Sequence, residues 1–185
     1  MELKTFSLHY PWDDNGYKPE VLFSLSTNDS GFHLHIETKE SNPKRKEHNH
    51  LQYVHRDSCV EWFVNFAPEL TDHYFNFELN ANGTLYAAFR KNRFDFTLLE
   101  LEDVKQLNIN AVVLNDIWTI DFDVPYHFIK KYIPDFEFQK GMTILSNFYK
   151  CGDRTEFPHF GVWNPVKLPA PDFHRPEFFG KIIID

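Results

Sequence analysis

Cysteine and glycine are both scarce in this chain of 185 residues, which contains two cysteines and seven glycines. Two cysteines cannot build the disulfide framework of a small secreted domain, and Cys59 and Cys151 lack the spacing of a zinc ribbon. The favoured interpretation is a pair of buried free thiols. A single bridge between distant strands stays open, because both residues fall in strand-like segments whose separation in space the sequence does not fix.

Long apolar runs and a basic charge balance are also missing. No segment approaches the ~20 apolar residues that span a bilayer, and residues 1–12 lack the basic start and apolar stretch of a secretory signal. We therefore expect a soluble chain with no membrane partner, which this N-terminus does not export. The 19 Lys and Arg against 27 Asp and Glu give a net charge of −8. This balance argues against nucleic acid as a partner, because a phosphate backbone is bound through clustered basic side chains.

Aromatic residues, in contrast, are abundant: 20 Phe, 8 Tyr and 4 Trp make up 17% of the chain. Short segments of alternating apolar and polar residues, separated by turn residues, indicate antiparallel β-structure. Pro125 and Pro134 bracket one short helix over residues 126–133. The sequence therefore predicts a single all-β domain over residues 1–185, an antiparallel β-sandwich of jelly-roll-like architecture. The predicted strands are residues 21–26, 31–39, 58–66, 74–80, 84–90, 109–114, 117–124, 142–151 and 178–184.

Alternation along three of these strands separates a core face from a mixed face. In the predicted strand at residues 58–66, the even-numbered side chains from Val60 to Phe66 are all apolar and include Trp62, so they face the core. If this strand pairs with residues 74–80 as a hairpin, core must face core, and the numbers of directly opposed residues sum to an odd value. Glu61 then lies opposite one of three residues, Asn76, Glu78 or Asn80.

The mixed face has two interpretations. An Asn-Gly turn brings the strand at residues 84–90 back beside the hairpin and adds Tyr86 and Arg90 to this face. Carboxylates, amides, a guanidinium and aromatic rings are the groups that bind a polyhydroxylated ligand. A solvated outer face whose charges pair across strands is the plainer interpretation, and the pattern alone favours it.

Four segments, in the same order along the chain, resemble the family 9 carbohydrate-binding modules. They are residues 57–63 (DSCVEWF), 74–83 (YFNFELNANG), 158–165 (PHFGVWNP) and 171–180 (PDFHRPEFFG). The resemblance covers most of the chain. It implies a β-sandwich of jelly-roll type that binds a small saccharide or a polysaccharide end without catalysis.

The resemblance also implies which residues bind the saccharide. Sugar-binding members of the family hold the ligand between two tryptophans, and those positions are matched here by Val54, between Tyr53 and His55, and by Phe173. The acidic residue of the family matches Glu61, whereas Glu78 stands where a basic residue is expected. Together with the mixed face and the 158–165 segment, this predicts a carbohydrate-binding site made of Tyr53, His55, Glu61, Glu78, Arg90, His159, Trp163 and Phe173.

Trp163 and the two carboxylates each leave an alternative open. Trp163 either replaces a missing aromatic platform or plugs the edge of the sandwich, because its segment is bounded by Gly and Pro. Glu61 and Glu78 would suit a glycoside hydrolase, whose carboxyl groups stand ~5–9.5 Å apart. However, no other catalytic motif is present, so we expect a protein that is not an enzyme.

Further alternatives concern cofactors and partners. No cofactor is expected to be required, although the resemblance and the two carboxylates allow a structural Ca²⁺. His33, His35 and Glu37 share one strand face, which is interpreted as an exposed polar face rather than a metal site. A haem-binding domain of the same superfamily would need an axial His or Met. A protein-interaction or self-association module is the stronger alternative, and the sequence leaves the oligomeric state open.

Overall fold

Two antiparallel sheets make up most of the computed structural model, which describes residues 3–12 and 15–184. The first sheet has five strands in the order β1-β2-β3-β9-β8. Its first three strands follow one another along the chain. After passing through the second sheet, the chain returns to this one, where β9 pairs with β3. The strands are β1 (Lys4–Ser7), β2 (Glu20–Thr27), β3 (Gly31–Lys39), β8 (Asn110–Leu114) and β9 (Ile117–Pro125).

The second sheet has seven strands, six of them in the order β11-β10-β4-β5-β6-β7. Strand β12 pairs with β10 on the same edge as β11, but nearer the start of β10. All pairings are antiparallel, which confirms the predicted β-sandwich class. The strands are β4 (Cys59–Asn65), β5 (Tyr74–Asn80), β6 (Leu85–Arg90), β7 (Phe96–Leu98), β10 (Thr143–Cys151), β11 (Phe160–Val162) and β12 (Gly180–Ile183).

Two short helices accompany the sheets, α1 (Leu101–Gln106) and α2 (Tyr126–Tyr132). Helix α2 is the predicted helix, but Pro125 closes β9 and caps the helix instead of forming its first turn. Helix α1 was not predicted. Its start carries a capping box in which Glu100 and Asp103 each bond the other's backbone N–H, and this stabilises a helix too short to show periodicity. No helix among the described residues is long and apolar enough to cross a membrane.

The predicted strands lie within one or two residues of the observed ones, and three strands were missed. Strands β1, β7 and β11 have three or four residues each, too few for alternation to show. For the last predicted strand, residues 178–184, the predicted start was wrong, because a 3₁₀ turn at Pro176–Phe178 precedes β12. The proline at the first position of that turn favours a helical start over an extended strand.

The main core lies between the sheets. Val60, Trp62, Val64 and Phe66 are all fully buried in it, as the alternation predicted. Trp62 stacks on Phe148 of the neighbouring strand with ring centroids 6.2 Å apart and planes 8° from parallel. The rings of this core therefore account for much of the aromatic excess, because large side chains bury the most apolar area each.

A buried polar cluster joins the two sheets near one edge of this core. Lys150 on β10 lies with its Nζ atom 3.2 Å from Glu40 Oε2 and 2.7 Å from His159 Nε2. Glu40 also accepts hydrogen bonds from Ser58 Oγ at 2.8 Å and from Trp118 Nε1 at 3.1 Å. The carboxylate thus accepts donors from both sheets, as a buried charge must to offset its lost hydration.

A second apolar cluster covers much of the outer face of the seven-stranded sheet. Phe63, Tyr74 and Tyr149 point outward from adjacent strands, yet each is fully buried. Residues 166–179, which we call the C-terminal cover, lie over them and contribute Phe173 and Phe179. The interpretation of this face as solvated was therefore wrong. Its aromatic side chains are buried beneath an irregular segment of the chain. Alternation along the strands does not reveal the presence of such a cover.

Candidate functional site

A pocket of about 460 Å³ remains on the outer face, between the C-terminal cover, the 3₁₀ turn at Val54–Arg56 and the loop that joins β6 to β7. We call it the outer-face pocket. Six of the eight predicted site residues line it: Tyr53, His55, Glu61, Glu78, Arg90 and Phe173. Residues more than 100 positions apart in the chain therefore meet at one place.

Glu61 and Glu78 form the floor of the outer-face pocket. They are directly opposed on β4 and β5, as the odd-sum rule allowed, and both are buried. Glu78 accepts a hydrogen bond from Asn76 Nδ2 at 2.7 Å, and its Oε2 lies 3.8 Å from His55 Nδ1. Burial, and then the neighbouring charge of Glu78, raise the pKa of the Glu61 carboxyl well above its usual range. The pair therefore consists of two carboxyl groups held side by side with little hydration.

Arg90 forms one wall of the pocket without neutralising this pair. Its Nε donates to Asn76 Oδ1 at 2.7 Å, and its Nη1 donates to the Arg93 carbonyl at 3.1 Å. Its guanidinium carbon also lies 4.5 Å from the centroid of the Phe96 ring. These contacts hold the guanidinium in place. Asn76 also donates to Glu78, so its side-chain amide links Arg90 to the floor of the pocket.

Tyr53 supplies the exposed aromatic ring at the rim. Its side chain is 57% exposed, while Val54, at the position where the family has tryptophan, is fully buried in the second apolar cluster. Phe173, the other tryptophan position, is only 8% exposed because its ring stacks on Tyr149 at 4.2 Å. The exposed ring therefore lies one residue earlier than the position of the family tryptophan, and Phe173 contributes a wall rather than a free ring face.

His159 and Trp163 lie outside the pocket, which corrects the prediction that grouped them with the others. His159 belongs to the buried Glu40–Lys150 cluster, where burial, and then Lys150, lower its pKa to about 4. Trp163 packs at the edge of the main core, 4.8 Å from the Phe6 ring, and its ring would be 2.7 Å from a Cβ atom at Gly180. The edge-plug alternative for Trp163 is therefore the one that the structure supports.

Several pocket residues were not predicted as site residues. Phe96 and Asp172 line the rim, and Cys151 lies beside the floor. Phe96 belongs to a strand too short to recognise. Cys151 could have been found by register, because β10 pairs with β4 so that Cys151 stands directly opposite Cys59. Both cysteines are free and buried, as predicted.

The structural calcium that the resemblance allowed has no matching cluster of Cys, His, Asp and Glu side chains among the described residues, and it stays a prediction. Among them, one group of three or more Cys, His, Asp and Glu side chains comes within ligand distance, and it consists of Cys59, Glu61 and Cys151. Two of its three donors are sulfur atoms. Calcium takes oxygen ligands, six to eight of them, so this group does not suit it.

A larger pocket of about 650 Å³ lies elsewhere, with Glu40 and Ser58 among its lining residues and Lys44 and Arg154 at its rim. None of the eight predicted site residues lines it. The Lys44 ammonium is already engaged, because it donates to the backbone carbonyls of Arg56 and Arg154. Size alone therefore does not make this pocket the better candidate.

Comparison with known proteins gives a consistent family match. The family model described as carbohydrate-binding family 9 matches residues 5–184. A structure of a candidate carbohydrate-binding protein from Bacteroides uniformis is 28% identical, with a TM-score of 0.87 over 100% of this chain and 86% of that one. No curated protein matches.

Two more distant structures share the fold. Both are family 9 carbohydrate-binding modules from Caldicellulosiruptor kristjanssonii. The one in complex with cellotriose is 10% identical, with a TM-score of 0.66 over 98% of this chain and 82% of that chain. The one in complex with glucose is 11% identical, with a TM-score of 0.65 over 97% of this chain and 84% of that chain.

Proposed function

This chain belongs to carbohydrate-binding family 9, and on that premise we propose that it binds a small saccharide or a polysaccharide end, without catalysis, in the outer-face pocket. One observation carries the proposal. The pocket combines an exposed ring at its rim, Tyr53, with the paired carboxyl groups of Glu61 and Glu78 on its floor. Its volume of about 460 Å³ falls within the ~300–1,000 Å³ of small-molecule sites.

The chemistry of the pocket suits a ring that carries many hydroxyl groups. Each hydroxyl is both a donor and an acceptor, so it needs both kinds of partner. The carboxyl oxygens of Glu61 and Glu78 accept, and the guanidinium of Arg90 donates. The apolar face of a sugar ring stacks on Tyr53. The Arg56 guanidinium lies 4.8 Å from the centroid of the Tyr53 ring and helps to hold that ring in place.

Glucose and its β-linked oligomers are the first ligands to consider. The two Caldicellulosiruptor modules that share the fold have structures in complex with glucose and with cellotriose. This chain differs from the family at the aromatic positions, with Val54 and Phe173, and at the basic position, with Glu78. We therefore expect it to recognise a saccharide related to glucose but with a different selectivity.

Binding without catalysis is supported by how the carboxyl groups are held. Glu78 bonds Asn76 and lies close to His55, and Glu61 accepts a hydrogen bond from the Cys151 thiol at 3.0 Å. A glycosidase needs one carboxyl group to reach the glycosidic oxygen and the other to reach the anomeric carbon or a water on the opposite side. Two directly opposed carboxyl groups on one floor lie on the same side of any ligand.

Calorimetric titration with mono- and oligosaccharides tests the proposal. We expect the wild-type chain to bind at least one member of a panel that includes glucose and cellotriose, and Tyr53→Ala to weaken that binding by about 10-fold or more, since a rim aromatic contributes ~1.4 kcal/mol or more. Phe157→Ala is the matched control. Phe157 is also exposed and aromatic, but it lines the larger pocket.

Three results would contradict the proposal. The first is the absence of binding to every saccharide at millimolar concentration by a folded chain. The second is a loss of binding in Phe157→Ala but not in Tyr53→Ala, which would move the site to the larger pocket. The third is turnover of chromogenic glycosides that Glu61→Gln abolishes, which would make the chain an enzyme.

A further inference from the structure

Cys59, Glu61 and Cys151 converge beside the floor of the outer-face pocket. Cys59 and Glu61 are two positions apart on β4, so they share one face, and Cys151 stands directly opposite Cys59 on β10. One ligand atom from each of the three lies within 4.8 Å of the other two. The Cys151 sulfur is 3.0 Å from Glu61 Oε1.

The cations nearest this group act on it from a distance, Arg93 on Glu61 and Lys150 on Cys59. Glu61 and Glu78 are buried side by side, and two neighbouring carboxylates repel unless a cation or a proton lies between them. Among the described residues, no Lys, Arg or His forms an ion pair with Glu61, and Glu78 has only His55, at 3.8 Å. Arg90 is directed to Asn76, Tyr86 and a backbone carbonyl instead.

We propose that Cys59, Glu61 and Cys151 bind a thiophilic divalent cation of the Zn²⁺ class at the base of the outer-face pocket. Two thiolates and one carboxylate are a donor set that zinc prefers, and the ligand atoms around one zinc lie roughly 3–4 Å apart. The three ligand atoms, all within 4.8 Å of one another, lie close to that spacing. The sulfur donors exclude calcium as the preferred ion.

The site is open on one side. Cys151 and Glu61 both line the pocket, so a fourth ligand can reach the cation from there. Three protein ligands and one open position are characteristic of zinc sites that exchange a water molecule or another oxygen ligand. The cation would thus sit where a ligand in the pocket meets the protein, and its positive charge would offset the paired carboxylates.

Cobalt titration of the metal-free, reduced protein, without saccharide, tests this inference. Co²⁺ reports its own ligands, because thiolate donors give a sulfur-to-cobalt charge-transfer band. We expect that band to grow until one equivalent is bound and to disappear when Zn²⁺ displaces the cobalt. Cys59→Ser and Cys151→Ser should each diminish it, and Glu61→Gln should weaken cobalt binding by about 10-fold or more.

The matched control removes a competing set of ligands. His33 and His35 lie on the first sheet, 2.9 Å and 2.7 Å from the carboxylates of Asp123 and Asp121. Substituting both, His33→Ala with His35→Ala, should leave the charge-transfer band unchanged, because these residues offer no sulfur. Zn²⁺ should raise the melting temperature of the wild-type chain, and an equal concentration of Ca²⁺ should not.

The inference fails if reduced wild-type protein gives no charge-transfer band, or if Cys59→Ser leaves the band intact. It also fails if the two thiols oxidise to a disulfide before they take up metal, which a loss of free thiols in an assay of the unfolded chain would reveal. Should the serine variants not fold, protection of both thiols from alkylation by Zn²⁺ in the wild-type chain decides the question. Because no saccharide is present, the outcome is independent of the proposed function.

Discussion

His159 illustrates how its surroundings can fix the protonation state of a single residue. It is buried among Lys150, Glu40 and the ring of Tyr17, and it bonds the carbonyl of Phe157 at 2.7 Å. Burial, and then the ammonium of Lys150, lower its pKa from 6.5 to about 4. The imidazole is therefore neutral in the folded chain at pH values where it is charged in the unfolded chain.

This shift predicts how stability depends on pH. As the pH falls from about 6.5 to about 4, the unfolded chain takes up a proton at His159 before the folded chain does, so the free energy of unfolding decreases. At pH 5 the expected loss from this residue is about 2 kcal/mol relative to pH 7. Urea unfolding of wild type and His159→Gln at both pH values measures it.

The variant should lose about 2 kcal/mol less than wild type between the two pH values, whatever its stability at pH 7. His48→Gln is the control, because His48 is exposed and should show the wild-type dependence. Equal losses in wild type and His159→Gln would show that His159 is not held neutral.

At the scale of elements, the C-terminal cover buries outward-facing aromatic side chains of the seven-stranded sheet, whereas elsewhere strand alternation directs such side chains into the main core. Phe173 stacks on Tyr149, and Phe179 lies edge-on to Tyr74 with ring centroids 5.2 Å apart. The Tyr149 hydroxyl also donates to the Phe173 carbonyl at 3.2 Å. Apolar packing and a backbone hydrogen bond therefore attach an irregular segment to the sheet.

Removal of the Phe173 ring should detach part of this cover. Phe173→Ala is expected to reduce the free energy of unfolding by about 3 kcal/mol, because a nearly buried aromatic is replaced by a cavity. Chemical denaturation gives the value. Phe94→Ala is the control, since Phe94 is 88% exposed and its loss should change stability by less than ~0.5 kcal/mol. Similar values for both variants would contradict a packing role for Phe173.

How far the sequence predicts these elements depends on their length and regularity. The period of two in residues 58–66 and 74–80 predicted the burial of Trp62, and it limited the residue opposite Glu61 to three candidates, of which Glu78 is the observed one. Strand β7, with three residues, has no period to detect, so Phe96 was missed. The cover has no regular structure over residues 166–175, and nothing local indicates which face it protects. Trp163 remained ambiguous because a plug and a platform have the same sequence signal.

At the scale of the whole molecule, the Glu40–Lys150 pair ties the two sheets together. Lys150 lies on β10, while Glu40 follows β3 and bonds Trp118 of β9. Both side chains are almost completely buried. Removing one member of such a pair leaves an uncompensated charge in the interior, which typically costs ~3–5 kcal/mol.

Lys150→Met should therefore reduce the free energy of unfolding by about 3 kcal/mol or more. Adding Glu40→Gln to the same chain should restore most of that loss, because no charge then remains in the interior. Urea denaturation of the two variants and wild type makes the comparison. A double variant as unstable as the single one would mean that Lys150 acts through its packing and not through its charge.

The C-terminal cover also has a consequence for the order of events during synthesis. The pocket takes its floor from residues 61 and 78 and one of its walls from residues 171–174. A chain that folds as it emerges from the ribosome completes its earlier segments first. Until residue 174 has been released and has docked, the floor faces solvent without its wall. The outer-face pocket is thus completed only after residues 171–174 have docked, later than the two strands that carry its floor.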